Sequence, residues 1–168
     1  MSLILLVSNG EEAGCSEGSL QGTRHLSTRG CWQAEAVARA LAHHHFSALY
    51  VTDDPCSTEM AFPLASQFGL IPVAPNSLRE DQLINGGLTS QQIQHCICQL
   101  MACHGGGDAV LCASPAVNRL LLYGFFGLAE AHGQVGDIQQ QPGAINRVIL
   151  DRNRTIVTTV NDLCHLQV

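Results

Sequence analysis

A chain of 168 residues can bury a core without disulfide staples, and 46% hydrophobic against 13% charged residues exclude a disordered polymer. Its eight basic residues are all arginine, which excludes lysine Schiff-base chemistry and a lysine-dependent phosphate loop. A formal net charge of −6 argues against a broad basic surface for nucleic acid.

The apolar run Leu3 to Val7 reads as a strand buried on both faces, with no basic residue before it and too short for a signal peptide. A Gly/Ser-rich loop follows to about Thr28. Ser27 or Thr28 caps a helix over Gly30 to His44, with Ala34, Val37, Ala38 and Leu41 at helical spacing. Ser47 to Thr52 is a second strand. Pro55 opens a helix that reaches Phe68 and stops at Gly69. Ile71 to Ala74 makes a short third strand, and Pro75 to Leu88 is irregular. Thr89 caps a helix to Cys103, ended by Gly105-Gly106-Gly107. Ala109 to Ala113 is a strand, and Pro115 starts a helix that ends near Leu128. Ala129 to Pro142 reads as loop, and Asn146 to Leu150 with Thr155 to Val160 as a hairpin.

Strands alternating with helices and closing in a hairpin predict a three-layer α/β/α fold. Its sheet is mostly parallel with an antiparallel edge, in one domain over residues 1–168. Ligands in such sheets bind beyond the carboxyl ends of the strands. Chemistry is therefore sought at Ser8 to Glu11, Thr52 to Cys56, and Ala113 to Ala116.

These loops and their neighbours resemble the histidine phosphatase superfamily, the phosphoglycerate-mutase-like proteins. The family's first strand ends in Arg-His-Gly-Glu; here the segment is Ser8-Asn9-Gly10-Glu11. Its Leu-Thr-x-x-Gly-x-x-Gln-Ala helix start is similar to Leu26 through Ala34. Its tyrosine strand, ending in small hydroxyls and Asp, resembles Tyr50-Val51-Thr52-Asp53. Its Leu-Arg-Glu is matched by Leu78-Arg79-Glu80, and its closing Leu-Asn-Asp-x-x-His-Leu by Val160 through Leu166. The motifs fall in the family's order across nearly the whole chain.

In that family a neutral histidine attacks phosphorus, a second histidine and two arginines hold the phosphate, and an acid protonates the leaving oxygen. By the resemblance, Asn9 stands at the nucleophile's place and Ser8 at that of the neighbouring arginine. Cys56 stands at the second arginine, and Ser114, followed by Pro115-Ala116 instead of two glycines, at the second histidine. Glu80 alone keeps its place, that of the general acid. An amide nitrogen is no nucleophile, because its lone pair is delocalised into the carbonyl. Each lost electrostatic contact removes about 3 kcal/mol of transition-state stabilisation, so the family reaction is expected to be absent.

Other clusters read as structural. His104-Gly105-Gly106 precedes its strand, whereas the family histidine follows one, and no Gly-x-Ser-x-Gly elbow supports an esterase. His95, Cys96, Cys98, Cys103 and His104 lie on one helix and at its end, where i and i+2 diverge, so no metal site is expected. His43-His44-His45 suits an exposed helix end. Trp32, Phe62, Phe68, Phe125 and Phe126 are expected in the core, and the cysteines as reduced, partly buried thiols.

The expected protein is a cytoplasmic pseudoenzyme of the histidine phosphatase fold, a binding or regulatory protein without cofactor, nucleic-acid or membrane partner. Its cleft would comprise Ser8, Asn9, Gly10, Thr52, Cys56, Glu80 and Ser114 and would take a small polar or phosphorylated ligand. The alternative is a phosphatase or other hydrolase with changed chemistry, pairing Glu80 with Ser8, Ser114 or Cys56 as nucleophile. A homodimer or another protein partner is a further expectation, for which Leu120 to Phe126 supplies apolar surface, although that stretch fits a buried helix better.

Overall fold

In the computed structural model, residues 1–14, 24–79, 90–103, 105–128, 138–151 and 154–167 are described. Strands β1 (Ser2–Ser8), β2 (Ala48–Val51), β3 (Pro72–Val73), β4 (Ala109–Ala113), β5 (Ile145–Asp151) and β6 (Arg154–Asp162) form one six-stranded sheet. Their order is β3-β2-β4-β1-β5-β6. β1 runs parallel to β4, and β2 parallel to β4 and β3; β5 and β6 are antiparallel additions on the other side of β1. Parallel strands need crossovers, which α1 (Thr28–Ala40), α2 (Pro55–Phe68) and α3 (Ser90–Cys103) provide among the described residues, while α4 (Pro115–Phe125) leads from β4 to the antiparallel β5.

The alternation of β1 explains the layers. Ile4 and Leu6 enter a core with Leu111, Val117, Leu121 and Ile97, while Leu5 and Val7 enter a second one with Val37, Leu41, Met60 and Leu64. A strand buried on both faces needs apolar residues at every position, and β1 has them up to Ser8. The three-layer α/β reading holds.

Local signals set the helix ends. Ser27 caps α1 by accepting from Gly30 N at 3.0 Å, and Asp54 caps α2 by accepting from Ser57 N at 2.9 Å. Gly69, at φ 65°, closes α2 in a left-handed conformation that a side chain disfavours. Ser114 caps α4. α1 stops at Ala40 rather than His44, because the chain turns through Leu41 to His43 to enter β2. α4 ends at Phe125 rather than near Leu128, because the chain turns at Gly127, φ 71°. The expected cap Thr89 lies outside the described residues, as does His104, ahead of the Gly105-Gly106-Gly107 terminator.

The aromatic expectation is corrected at three positions. Trp32 is 37%, Phe126 46% and Phe62 74% exposed, because Trp32 and Phe62 fall on the outer sides of α1 and α2 and Phe126 follows the end of α4. Leu121, Leu122 and Phe125 are buried, so the inner face of the Leu120–Phe126 stretch is core, while Phe126 is exposed. Among the described cysteines, Cys56, Cys96 and Cys112 are buried thiols, whereas Cys31, Cys98 and Cys164 are exposed.

No helix is long and apolar enough to cross a membrane among the described residues.

Candidate functional site

β1 lies where the strand order reverses, between β4 and the antiparallel pair, and its carboxyl end is pinned from several directions. Ser8 N donates to Ala144 O and Asn9 N to Ala113 O, both at 2.9 Å. Gly143 N lies within reach of both the Ser8 and Asn9 carbonyls, at 3.2 and 3.1 Å. His165 Nε2 is 3.0 Å from the carbonyl of the same Gly143, so the closing segment braces the turn that braces β1. Burial lowers the His165 pKa, against the opposing pull of that hydrogen bond and of Asp162.

Immediately beyond, Gly10 and Gly30 let the loop lie flat on the start of α1. A Cβ on Gly30 would sit 2.2 Å from Glu11 O, and one on Gly10 would sit 2.7 Å from Gly30 O. Both obstacles are backbone. Glu11 N donates to Gln33 Oε1 at 2.8 Å and Glu11 O accepts from Ser27 N at 2.8 Å, which locks the approach. The glycine and glutamine of the helix-start motif thus fix where Asn9 is held.

The Asn9 side chain is 1% exposed and tied on both sides. Its Nδ2 donates to Asp54 Oδ1 at 3.2 Å, and its Oδ1 faces Ser57 Oγ at 3.1 Å. Asp54 Oδ2 accepts from the Thr52 and Ser57 hydroxyls. Thr52 and Ser57 are also fully buried, so the carboxylate is the hub of a desolvated polar network.

Ser8 points to the opposite side, toward α4. Its Oγ accepts from Asn118 Nδ2 at 3.2 Å and donates to Gln140 Oε1 at 3.1 Å; Gln140 in turn pairs with Asn146. Asn146 Nδ2 also donates to Leu6 O at 3.0 Å, and its Oδ1 accepts from Asn161 N at 2.9 Å. Asn118 Oδ1, buried, has no hydrogen-bond partner among the described residues.

The sequence-derived cleft residues therefore divide. Ser8, Asn9, Gly10 and Thr52 come together at the end of β1. Ser114 stands on the flank as the α4 cap, accepting from Val117 N at 3.3 Å. Cys56 turns away: its side chain is 1% exposed within the core that holds Val7, Leu26 and Met60. Burial, then the carboxylates Glu12, Asp54 and Glu59, push its thiol up to about 12. The α2 dipole does not overcome that, and Cys56 carries no thiolate at neutral pH. Glu80 lies outside the described residues; its neighbour Arg79 places Nε 3.6 Å from Asp53 Oδ2.

Sequence reasoning missed Asp54, Ser57, Asn118, Gln140 and Asn146. Asp54-Pro55 had a signal, since Asp before a first-turn proline is a helix cap and Ser57 is its third residue. Asn146 showed as one polar residue at the start of an apolar strand. Gln140 and Asn118 had none.

The electrostatics differ from those of a phosphate pocket. Glu11, Glu12, Asp53, Asp54 and Glu59 all border this end of the sheet. Basic side chains around it face carboxylates, Arg24 toward Glu12 at 3.4 Å, His25 toward Glu59 and Arg79 toward Asp53. Asn9 itself faces Asp54. Among the described residues no group of three or more His, Cys, Asp or Glu side chains could hold a metal ion. On α3, Cys96 Sγ donates to Ser77 O and His95 pairs with Gln99.

Solved structures with the same fold span the whole chain. Bacillus stearothermophilus YhfR superposes with a TM-score of 0.77 at 14% identity, covering 99% of this chain and 100% of its own. Phosphoserine phosphatase from Entamoeba histolytica, in complex with 3-phosphoglyceric acid, gives 0.76 at 16% identity over 99% and 100%. The alpha-ribazole phosphatase from Shigella flexneri gives 0.73 at 14% over 95% and 96%. No protein-family model matches the chain, and no curated protein matches its sequence. The chain has the phosphoglycerate-mutase-like fold of the histidine phosphatases.

Proposed function

We propose that this protein is a non-catalytic member of the histidine phosphatase fold that works as a binding or regulatory protein. One observation carries the reading: Asn9, at the place of the family's nucleophile, has its buried amide fastened to half-buried Asp54 and buried Ser57. A phosphoryl-transfer pocket needs a nucleophilic lone pair and cationic groups around the phosphate. This one offers a delocalised amide and a carboxylate. Two unit charges 4 Å apart interact by about 4 kcal/mol at an effective dielectric near 20, so a phosphate brought against Asp54 is repelled rather than held.

The ligand that suits such a pocket is small, polar and neutral or cationic, because carboxylates border this end of the sheet. The histidine phosphatase fold of the neighbours supplies the cleft, and fold alone does not bring their chemistry. Thermal melting with inorganic phosphate and phosphorylated metabolites on one side, and neutral or cationic polar metabolites on the other, tests the reading. A ligand present at 100 times its Kd stabilises by about 2.7 kcal/mol. Stabilisation confined to the neutral and cationic set, without turnover of the phosphorylated set, is the expected outcome. Turnover of any phosphate ester that depends on this protein overturns the proposal.

A further inference from the structure

The chain contains the dipeptide Asn-Gly twice, at Asn9-Gly10 and Asn85-Gly86. Asparagine followed by glycine is a self-reactive pair, because a residue without Cβ leaves its N–H free to reach the preceding side chain. The glycine nitrogen attacks Cγ of the asparagine, the Cγ–Nδ2 bond breaks, and ammonia leaves with the proton of the glycine N–H. Water then opens the succinimide that remains, giving aspartate or isoaspartate.

At Asn9 the fold holds this reaction back. Ring closure requires Cγ to swing onto Gly10 N, but the side chain is fastened toward α2. Its Nδ2 donates to Asp54 Oδ1 at 3.2 Å, and its Oδ1 lies 3.1 Å from Ser57 Oγ. The main chain is fixed as well. Asn9 N donates to Ala113 O, Gly143 N donates to Asn9 O, and Gly10 lies flat against Gly30. Asn9 is buried, which keeps out the water that opens the ring.

Conversion would not be silent. An aspartate has no amide donor for Asp54 and sets a second carboxylate where the nitrogen stands 3.2 Å from Asp54 Oδ1. Like charges so close, and partly withdrawn from water, oppose each other. Isoaspartate also adds a methylene to the main chain ahead of Glu11, whose N and O are matched to Gln33 and Ser27.

We propose that Asn9-Gly10 is a deamidation site held closed by Asp54 and Ser57, and that its local opening converts the pocket irreversibly to a form with facing carboxylates. Catalysis in the pocket does not bear on this chemistry, which needs only the amide and its neighbours.

Peptide mass spectrometry with isoaspartate quantified, after incubation at mildly alkaline pH, tests it. In urea above the unfolding transition, Asn9 is expected to convert as fast as Asn85 of the same chain, since neither is then held. In the native parent Asn9 is expected to convert about a hundredfold more slowly or less, as the low population of a locally opened state dictates. Asp54→Ala is compared with parent brought by urea to the same global stability. The variant is expected to convert Asn9 about tenfold faster, the factor for about 1.4 kcal/mol and the low end for a hydrogen bond to a charged group. Should Asp54→Ala not fold, Ser57→Ala takes its place, because its hydroxyl lies against the Asn9 carbonyl oxygen. Conversion in the native parent as fast as in urea overturns the proposal, and so does conversion in neither state. A variant no faster than its urea-matched parent overturns it too, as does an Asn9→Asp protein as stable as the parent.

Discussion

Replacing Asp54 by alanine separates a structural network from a working active site. The carboxylate caps α2 through Ser57 N and accepts from Asn9 Nδ2 and the Thr52 and Ser57 hydroxyls. Loss of an N-cap costs about 1 kcal/mol. The donors of Asn9, Thr52 and Ser57 are buried, and a hydrogen bond to a charged acceptor contributes about 1.5–3 kcal/mol each. Asp54 is itself only half-buried and water enters part of the space, so the sum is discounted to about 3–4 kcal/mol. Asp54→Asn keeps the size and one acceptor and is expected to lose about half as much. Urea denaturation at pH 7, with equal m-values in parent and variants, measures the difference. Pockets kept for catalysis commonly hold strained or repelling groups, whose removal stabilises. An Asp54→Ala protein as stable as the parent, or more so, would refute the claim that this network exists to hold the fold.

Three further outcomes follow from the same geometry. Gly30→Ala, which in an open helix would stabilise by up to about 1 kcal/mol, is expected to destabilise by about 2–4 kcal/mol, because its Cβ meets the Glu11 carbonyl; chemical denaturation checks the sign. Iodoacetamide at neutral pH is expected to label Cys31 and Cys98 well before Cys56, whose pKa lies near 12, and mass spectrometry of the peptides shows the order. His165 has a folded pKa below its ordinary 6.5, so the folded state binds fewer protons than the unfolded one there. Its contribution is complete above pH 6.5 and declines as the pH falls through the folded pKa, and melting of His165→Gln across this range is expected to lack that part of the slope.

Much of the fold was legible because its signals are local. Asp54-Pro55 and Gly69 bracket α2, Ser27 caps α1, and the unbroken apolar run of β1 announces a strand covered on both faces. The place of the site was legible too, since the carboxyl ends of β1, β2 and β4 must meet where the sheet reverses direction. Its inner wiring was not. Cys56 and Ser57 are neighbours on α2, and helix phase sends the first into the core and the second to Asn9; spacing to a family motif selects the first. Asn9 and Ser57 are brought together by β1 and α2, and Ser8 and Gln140 by the turn before β5. Such pairings depend on the folded sheet rather than on sequence spacing. The same reason explains Phe62 and Trp32, whose apolar character says nothing about which side of the helix the sheet will cover.

The central proposal is that this chain does not carry out the phosphoryl transfer of the histidine phosphatases. Hydrolysis of an aryl phosphate and of a panel of phosphorylated metabolites, by the parent protein beside Glu80→Gln, tests it most directly. The account predicts no turnover in the parent above that of the variant, because Asn9 supplies no nucleophile and Asp54 repels the phosphate. Turnover in the parent that collapses in Glu80→Gln would contradict it, by establishing Glu80 as a working acid and requiring a nucleophile other than histidine.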